Sequence, residues 1–467
     1  MKSAPAVTSV HGRRYQLGGS LGRGGQGAVY TVAGDPTLAV KLLEDPSRTL
    51  REQLRDQLAM VGRLPLDGLP LAHPLELLRP PHVGYVMRLL SGMAPLRSLM
   101  RPPDGSSVAS WYIQGGGLRR RLRVLARAAE VLATLHGRGL VFVDPSPTNV
   151  FVSVAVEAEE VGLIDTDNLR PSTSPGHTVY TPGYGAPELV RGTGGATSLS
   201  DAYAFAVLAY ETLTLTHPFL GDMVQNGEPE LEEQALAGEL PWVDDPDDDR
   251  NRASSGIPSE FILSDNLRRI FHETFAAGRA DPMRRPGMTR WVEFLHRAAD
   301  RTLLCPACRA TFYCDRRTCP WCEEPRPASV IAAVLIWDPA TPRSCGRGGL
   351  EHGPGILRDG SGKPRVVDAV FVSAGDQVVL TDRVTHGTDR RAPRLQVAFD
   401  GTRLTLQSLD DEPWRLVSSD GRYERTLGQT PEEISVGPSG TAWMLHAGRP
   451  EQRHRVIRFD FYPRGTP

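Results

Sequence analysis

Nowhere in these 467 residues does an apolar run approach the roughly 20 residues needed to cross a bilayer. The opening stretch, MKSAPAVTSVHGRRY, also lacks the unbroken apolar core of a secretory leader. No membrane association is expected, and the location expected is the cytoplasm. Neither sign of charge prevails: 53 Lys and Arg stand against 55 Asp and Glu, a net charge of −2. That balance removes the electrostatic case for nucleic acid as a partner. Two local charge runs read as solvated surface, the basic Arg119-Arg120-Arg121-Leu122-Arg123 and the acidic stretch from Val243 to Asp249. Cysteine is scarce, six in all. In a reducing compartment, clustered thiols point to metal rather than to disulfides. A chain of this length is too long for one core, so two to four domains are expected.

The richest stretch runs from Leu140 to Glu188. Asp144 stands five residues before Asn149, apolar strand-like segments flank both, and Asp165 ends the segment Val161-Gly162-Leu163-Ile164-Asp165. Two carboxylates and a carboxamide at this spacing are what phosphoryl transfer requires: one acid to orient a hydroxyl, an amide and a second acid to hold magnesium. Upstream, Gly22, Gly24 and Gly27 open a loop of the form G-x-G-x-x-G-x-V that ends on Val29. Lys41 follows in a strand reading Leu38-Ala39-Val40-Lys41. Backbone without Cβ can close over phosphates and donate N–H groups to them. A strand rather than a helix follows Gly27, which favours ATP over a dinucleotide.

These segments, with Thr181-Pro182-Gly183-Tyr184-Gly185-Ala186-Pro187-Glu188, resemble the eukaryotic-type (Hanks-type) serine/threonine protein kinases of bacteria. The resemblance implies a bilobal α+β fold, with a small lobe over residues 13–90 after a short lead (1–12) and a large lobe over 91–302. It implies that Lys41 holds the α- and β-phosphates, that Val29, Ala39 and Met87 line the adenine slot, and that Asn149 and Asp165 bind Mg2+ or Mn2+. Asp144 is then the catalytic base, Asp201 braces the catalytic loop, and Arg285 pairs with Glu188. The departures matter as much. Phe142, Val143 and Ser146 replace the usual His, Arg and Lys, and Asp165-Thr166-Asp167 replaces D-F-G. The D-x-D form is similar to a divergent subfamily associated with tellurite resistance, which implies a von Willebrand-type protein and a phosphatase as partners. With Val143 in place of arginine, phosphorylation of the loop holding Ser172, Thr173, Ser174, Thr178, Tyr180 and Thr181 should matter less. The helix expected from Asp45-Pro46-Ser47 places Gln57 where kinases carry the lysine's glutamate, with Glu52 and Asp56 as alternatives. Asp167 is open between a metal ligand and a turn cap.

Past residue 302 the composition changes. Cys305-Pro306-Ala307-Cys308 and Cys319-Pro320-Trp321-Cys322 are two knuckles ten residues apart, the spacing of a tetrahedral S4 zinc site, and define a zinc ribbon over 303–326. Cys314 reads as a spare or replacement ligand, and Cys345 as a thiol outside the site. From 327 to 467 the sequence reads only as short strands separated by turns, an all-β, sandwich-like domain. The expected activity is phosphoryl transfer from ATP to Ser or Thr of a protein substrate, slowed by the loss of the lysine that Ser146 replaces. A nucleotide-binding pseudokinase scaffold and a small-molecule phosphotransferase are the alternatives.

Overall fold

A computed structural model describes residues 5–24, 27–43, 48–173, 179–341, 355–388, 392–412, 414–418, 423–436 and 443–465. Asp45-Pro46-Ser47, Ser174, Thr178 and Cys345, named above, fall outside these residues. The chain divides into two compact units, residues 1–115 with 120–296, and residues 116–119 with 297–467.

The first unit begins with a six-stranded antiparallel sheet in the order β1-β2-β3-β4-β6-β5. Its strands are β1 (Ala6–Thr8), β2 (Arg14–Gly24), β3 (Gly27–Val32), β4 (Asp35–Leu43), β5 (Glu76–Leu77) and β6 (Gly84–Arg88). The polar lead is therefore not structureless: Val7 is buried, and β1 pairs with Arg14–Gln16. Period-two alternation sorts the residues of β4 between two apolar clusters. Val40 packs with Val7, Tyr15 and Val86, whereas Ala39 packs with Leu58, Tyr85 and Met87. Helix α1 (Arg48–Val61) covers the second face, with Leu58 buried and Leu54 partly so.

The large lobe is mainly helical. The Gly/Ser-rich stretch near residues 105–117 holds a short helix, α2 (Val108–Gln114), because the Ser107 side chain accepts a hydrogen bond from Ser110 N–H and caps it. Helix α3 (Gly117–Gly137) follows, and its basic opening is not a solvated face. Arg121 is fully buried: its guanidinium donates to the carbonyls of Tyr112 and Leu99 at 3.1 Å each and lies 3.7 Å over the Tyr112 ring. Arg120 donates to Ser153 O at 2.5 Å. Five forked N–H donors let an arginine close off carbonyls that a helix surface cannot otherwise satisfy. The acidic stretch is likewise anchored at its start, where Val243 is buried and Asp244 accepts the Tyr210 hydroxyl at 2.6 Å.

Before α3 comes β7 (Met93–Pro95), and after it come β8 (Leu140–Val141), β9 (Val150–Ser153), β10 (Val161–Leu163) and β11 (Arg170–Pro171), paired as β10-β9-β7 and β11-β8. Helix α4 (Pro187–Val190) and the buried helix α5 (Ser198–Thr214) complete the frame around the loops between these strands.

In the second unit β12 (Thr302–Leu304) and β13 (Thr311–Tyr313) form the hairpin of the cysteine knuckles. Two antiparallel sheets follow. One runs β15-β14-β23-β22-β19-β20, from β14 (Ser329–Trp337), β15 (Val366–Ser373), β19 (Trp414–Ser418), β20 (Glu424–Leu427), β22 (Trp443–His446) and β23 (His454–Tyr462). The other runs β16-β17-β18-β21, from β16 (Asp376–Thr381), β17 (Pro393–Phe399), β18 (Arg403–Ser408) and β21 (Glu432–Ser435). Val334, Val372, Leu416 and Ile457 of the first sheet share one apolar core with Val378, Val397, Leu406 and Ile434 of the second, the packing of a β-sandwich. Sequence reading misses β20 and β21, whose polar residues lack an apolar alternation, and the helical turn Asp382–Thr385.

Candidate active site

Antiparallel register brings the first components together. Lys41 of β4 lies opposite Val29 of β3 and opposite Tyr85 of β6, while Ala39 lies opposite Met87. Positions 39 and 41 share a face, so Val29, Ala39, Lys41, Tyr85 and Met87 line one surface of the sheet. Val29, Ala39 and Met87 belong to the same apolar cluster as Ile164, the residue before Asp165. In the glycine loop Gly22 pairs with Val29 and Gly24 with Gly27, whereas Gly25 and Gln26 at the tip are outside the described residues. Gly27 has φ +148°, and a Cβ there would meet Leu42 O at 2.1 Å, so only glycine fits.

The large lobe supplies the rest through one framework. Leu163 pairs with Val150, and Ile164 N–H donates to Asn149 O at 2.9 Å, which sets Asn149 beside the turn carrying Asp165. Asp165 itself takes the left-handed conformation, φ 60° and ψ 47°, and opens a 3-10 turn over Thr166–Asn168. Asp201, fully buried at the start of α5, accepts the backbone N–H groups of Phe142 and Val143 at 2.8 and 2.9 Å and contacts His136 Nε2 at 3.0 Å. Those bonds hold Val143 at φ 85°, a conformation a β-branched residue adopts only under constraint. They fix the backbone that delivers Asp144. Val143 is itself buried and apolar, so it offers no charge to a phosphorylated loop.

Asp144 accepts Thr181 N–H at 2.8 Å, the Thr181 hydroxyl at 2.9 Å and Asn149 Nδ2 at 3.1 Å. Burial pushes its carboxyl above the usual carboxylate range, and the Thr181 bonds only partly offset this. Thr181 thus ties the A-P-E segment to the catalytic loop. Beneath that segment Arg285 forms a bidentate pair with Glu188, both N···O distances 2.7 Å, with the arginine side chain fully buried. Ser146 is fully buried, its hydroxyl 3.3 Å from Thr148 Oγ1.

Lys41 is the centre of charge. It pairs with Asp165 and with Asp167, the latter at 2.5 Å, while Glu52 and Asp56 are exposed on α1. Burial works to lower the ammonium's pKa, yet the two carboxylates outweigh it and the lysine stays charged. Tyr85 donates its hydroxyl to the other oxygen of Asp167. Gln57 of α1 reaches the same turn, donating to the Asp167 carbonyl at 3.1 Å. Sequence reading names Asp167 without its partner and does not name Tyr85. Tyr85 is brought beside Lys41 by the register of β4 against β6, which the sequence pattern does not show.

The residues expected to bind the metal offer donors that suit a hard cation. Asn149 spends its Nδ2 on Asp144, which leaves its carbonyl oxygen for a ligand, and Asp165 adds a carboxylate oxygen, the donors that magnesium takes.

The cysteine knuckles form a separate centre. The Sγ atoms of Cys305, Cys308, Cys319 and Cys322 lie within 4.8 Å of one another, with Cys305–Cys322 at 3.6 Å and Cys308–Cys319 at 3.7 Å. Four thiolates at about 2.3 Å from a tetrahedral zinc stand roughly 3.8 Å apart, so the set fits that ion. The two knuckles share their backbone. Arg309 N–H bonds Cys305 O with Arg309 at φ 64°, and Glu323 N–H bonds Cys319 O with Glu323 at φ 61°. Cys314 is buried but is not one of the four.

Residues 114–293 match the family model described as protein kinase domain. The chain is 32% identical over 229 residues to the DNA damage-responsive serine/threonine-protein kinase RqkA of Deinococcus radiodurans, covering 46% of this chain and 31% of that protein. It is 29% identical to serine/threonine-protein kinase PknD of Chlamydia caviae, over 44% of this chain and 25% of the relative. With serine/threonine-protein kinase PknA of Mycobacterium tuberculosis the identity is 27%, over 47% and 51%. The chain therefore spans between a quarter and about half of the length of these curated relatives. Residues 114–293 are thus similar to a protein kinase domain, and the chain around them is similar to the kinase regions of bacterial serine/threonine kinases.

Proposed function

We propose that the chain is an ATP- and magnesium-dependent protein kinase that transfers the γ-phosphoryl group to Ser or Thr hydroxyls of a protein partner. The observation that carries this reading is the convergence of Lys41 with Asp165 and of Asp144 with Asn149, groups contributed by both lobes. Lys41 positions the nucleotide phosphates, Asn149 and Asp165 hold the cation, and Asp144 orients the acceptor hydroxyl. Bound magnesium would neutralise charge developing on the phosphates. The Thr181 hydroxyl occupies Asp144 at hydrogen-bond distance, so the same carboxylate is placed to accept from a substrate hydroxyl.

Turnover is expected to be slow, because Ser146 offers no cation to the transferred group. A lost electrostatic contact of this kind lowers rates by ~10² to 10³. The D-x-D subfamily resemblance brings forward a von Willebrand-type protein and a phosphatase as partners, and the cysteine centre is proposed to hold a structural zinc ion.

The test is single-turnover labelling with [γ-32P]ATP and magnesium, with and without added partner proteins, comparing wild type with Asp144→Asn. Label on wild type that exceeds the variant by ~10² or more supports transfer. Equal label on both rejects it.

A further inference from the structure

In the cleft one ammonium faces two carboxylates, and they are not equivalent. The Asp165 side chain is 24% exposed and that of Asp167 only 8%. Asp165 makes its ion pair through Oδ1, which leaves Oδ2 for a cation. Asp167 has both oxygens committed, Oδ2 to Lys41 and Oδ1 to the Tyr85 hydroxyl. Removing Asp165 from Lys41 toward a nucleotide-bound cation breaks one ion pair at the open side of the cleft. Removing Asp167 would leave a buried tyrosine hydroxyl without its acceptor and a buried ammonium with one counter-charge fewer, which burial disfavours.

Helix α1 completes the argument by what it brings. From it Gln57 reaches this centre, its amide donating to the Asp167 carbonyl and at 3.5 Å to that of Leu169. A carboxylate in its place would face two carbonyl oxygens and be repelled. The helix is therefore fastened to the backbone of the Asp165–Leu169 turn, and the ion pairs of Lys41 among the described residues are those with Asp165 and Asp167.

We infer that Asp167 is the permanent counter-charge and positioning residue of Lys41, held by Tyr85, and that Asp165 is the exchangeable partner released to the cation when nucleotide binds. This rests on the kinase reading and extends it. Lysine alignment is then set by the same turn that binds the metal, independently of any acid on α1.

The experiment uses the full chain and four variants, Asp167→Asn, Asp167→Glu, Glu52→Gln and Asp56→Asn, with Asp165→Asn as reference. Mg·ATP affinity is read by calorimetry, and KM for ATP, kcat and half-saturating magnesium by autophosphorylation. Loss of one charge-assisted contact predicts that Asp167→Asn weakens Mg·ATP binding and raises KM by roughly 10-fold. Asp167→Glu recovers part of that loss, and Glu52→Gln and Asp56→Asn stay within about 2-fold of wild type. Half-saturating magnesium at saturating ATP rises for Asp165→Asn but not for Asp167→Asn.

Two results overturn the inference. One is a 10-fold loss on Glu52→Gln or Asp56→Asn while Asp167→Asn binds normally. The other is a magnesium shift on Asp167→Asn matching that of Asp165→Asn, which would make Asp167 a metal ligand. If Asp167→Asn fails to fold by circular dichroism, Tyr85→Phe decides: a rise of about 3-fold in Kd for Mg·ATP supports the assignment, and none rejects it. Calorimetry needs no phosphoryl transfer, so an inactive wild type would sink the kinase reading while this assignment is still judged on binding.

Discussion

The charged cleft and the cysteine knuckles are both four- or five-residue centres, yet they are assembled in opposite ways. The knuckles take all their ligands from Cys305 to Cys322, and each pair is preset by a tight turn with a left-handed residue after it. The cleft joins Lys41 to residues 124 and 126 positions away, through strand register on one side and a buried brace at Asp201 on the other. A local centre depends on its ligand, because so few residues cannot bury a core. A distributed one depends on the lobes that carry it. Removing a ligand should therefore damage the first, and removing a remote brace should damage the second.

The largest effect is expected at the knuckles. Stripping metal with a chelator, or replacing Cys319 with Ser, should unfold the 303–326 segment, since ligand bonds in zinc-finger peptides contribute on the order of 10 kcal/mol. Zinc content by plasma emission spectroscopy, with amide exchange over these residues, measures it. A metal-free protein with full exchange protection there would erase the contrast.

Next comes the brace of the cleft. Arg285→Ala leaves Glu188 without its buried partner and should cost about 3–5 kcal/mol of kinase-domain stability, read by urea unfolding, although Arg285 touches no reacting group. Loss of activity at unchanged stability would instead mean that Arg285 acts in the chemistry.

A smaller effect, of opposite sign, is expected inside the cleft. Burial raises the Asp144 carboxyl's pKa above its unfolded value, the bonds from Thr181 and Asn149 offsetting this only in part. The stability linked to that shift is present below the unfolded carboxylate pKa and is lost as pH rises through the folded value. At neutral pH Asp144→Asn should then melt higher than wild type by ~2 °C, and the gap should close as the pH approaches 4. A gap that widens on acidification would contradict the burial argument.

The smallest effect sharpens the other side. Cys314 is buried outside the four-thiol set, so Cys314→Ala should leave zinc stoichiometry unchanged. A drop in bound zinc would add Cys314 to the ligands.

Much of this was legible in the chain itself. C-P-x-C spacing announces its geometry because the turn that aims both thiols is local. Asp144, Asn149 and Asp165 stand out in the sequence for a related reason: they lie in the short loops that flank the apolar strands β8, β9 and β10, where a polar residue breaks an apolar pattern. The arginines of α3 were misread because a run of like charge says nothing of the carbonyls waiting inside the lobe. Arg121 is buried by tertiary contacts, among them those with Tyr112 and Leu99. The polar strands β20 and β21 escaped for want of alternation; β21 forms because β18 offers it a hydrogen-bonding edge.

The sequence by itself determined which groups this chain carries: an amine, acids and a carboxamide of the kinds a nucleotide and its cation would need, and four thiols in the pattern a zinc ion would need. It also determined the order in which lobes, knuckles and β-domain succeed one another. Only the tertiary structure decided how those charges are paired. That Lys41 answers to Asp167 rather than to an acid of α1 depends on the register of β4 against β6 and on Gln57 fastening the turn. Electrostatic pairing falls off over a few ångströms, and at that scale separation along the chain carries no information.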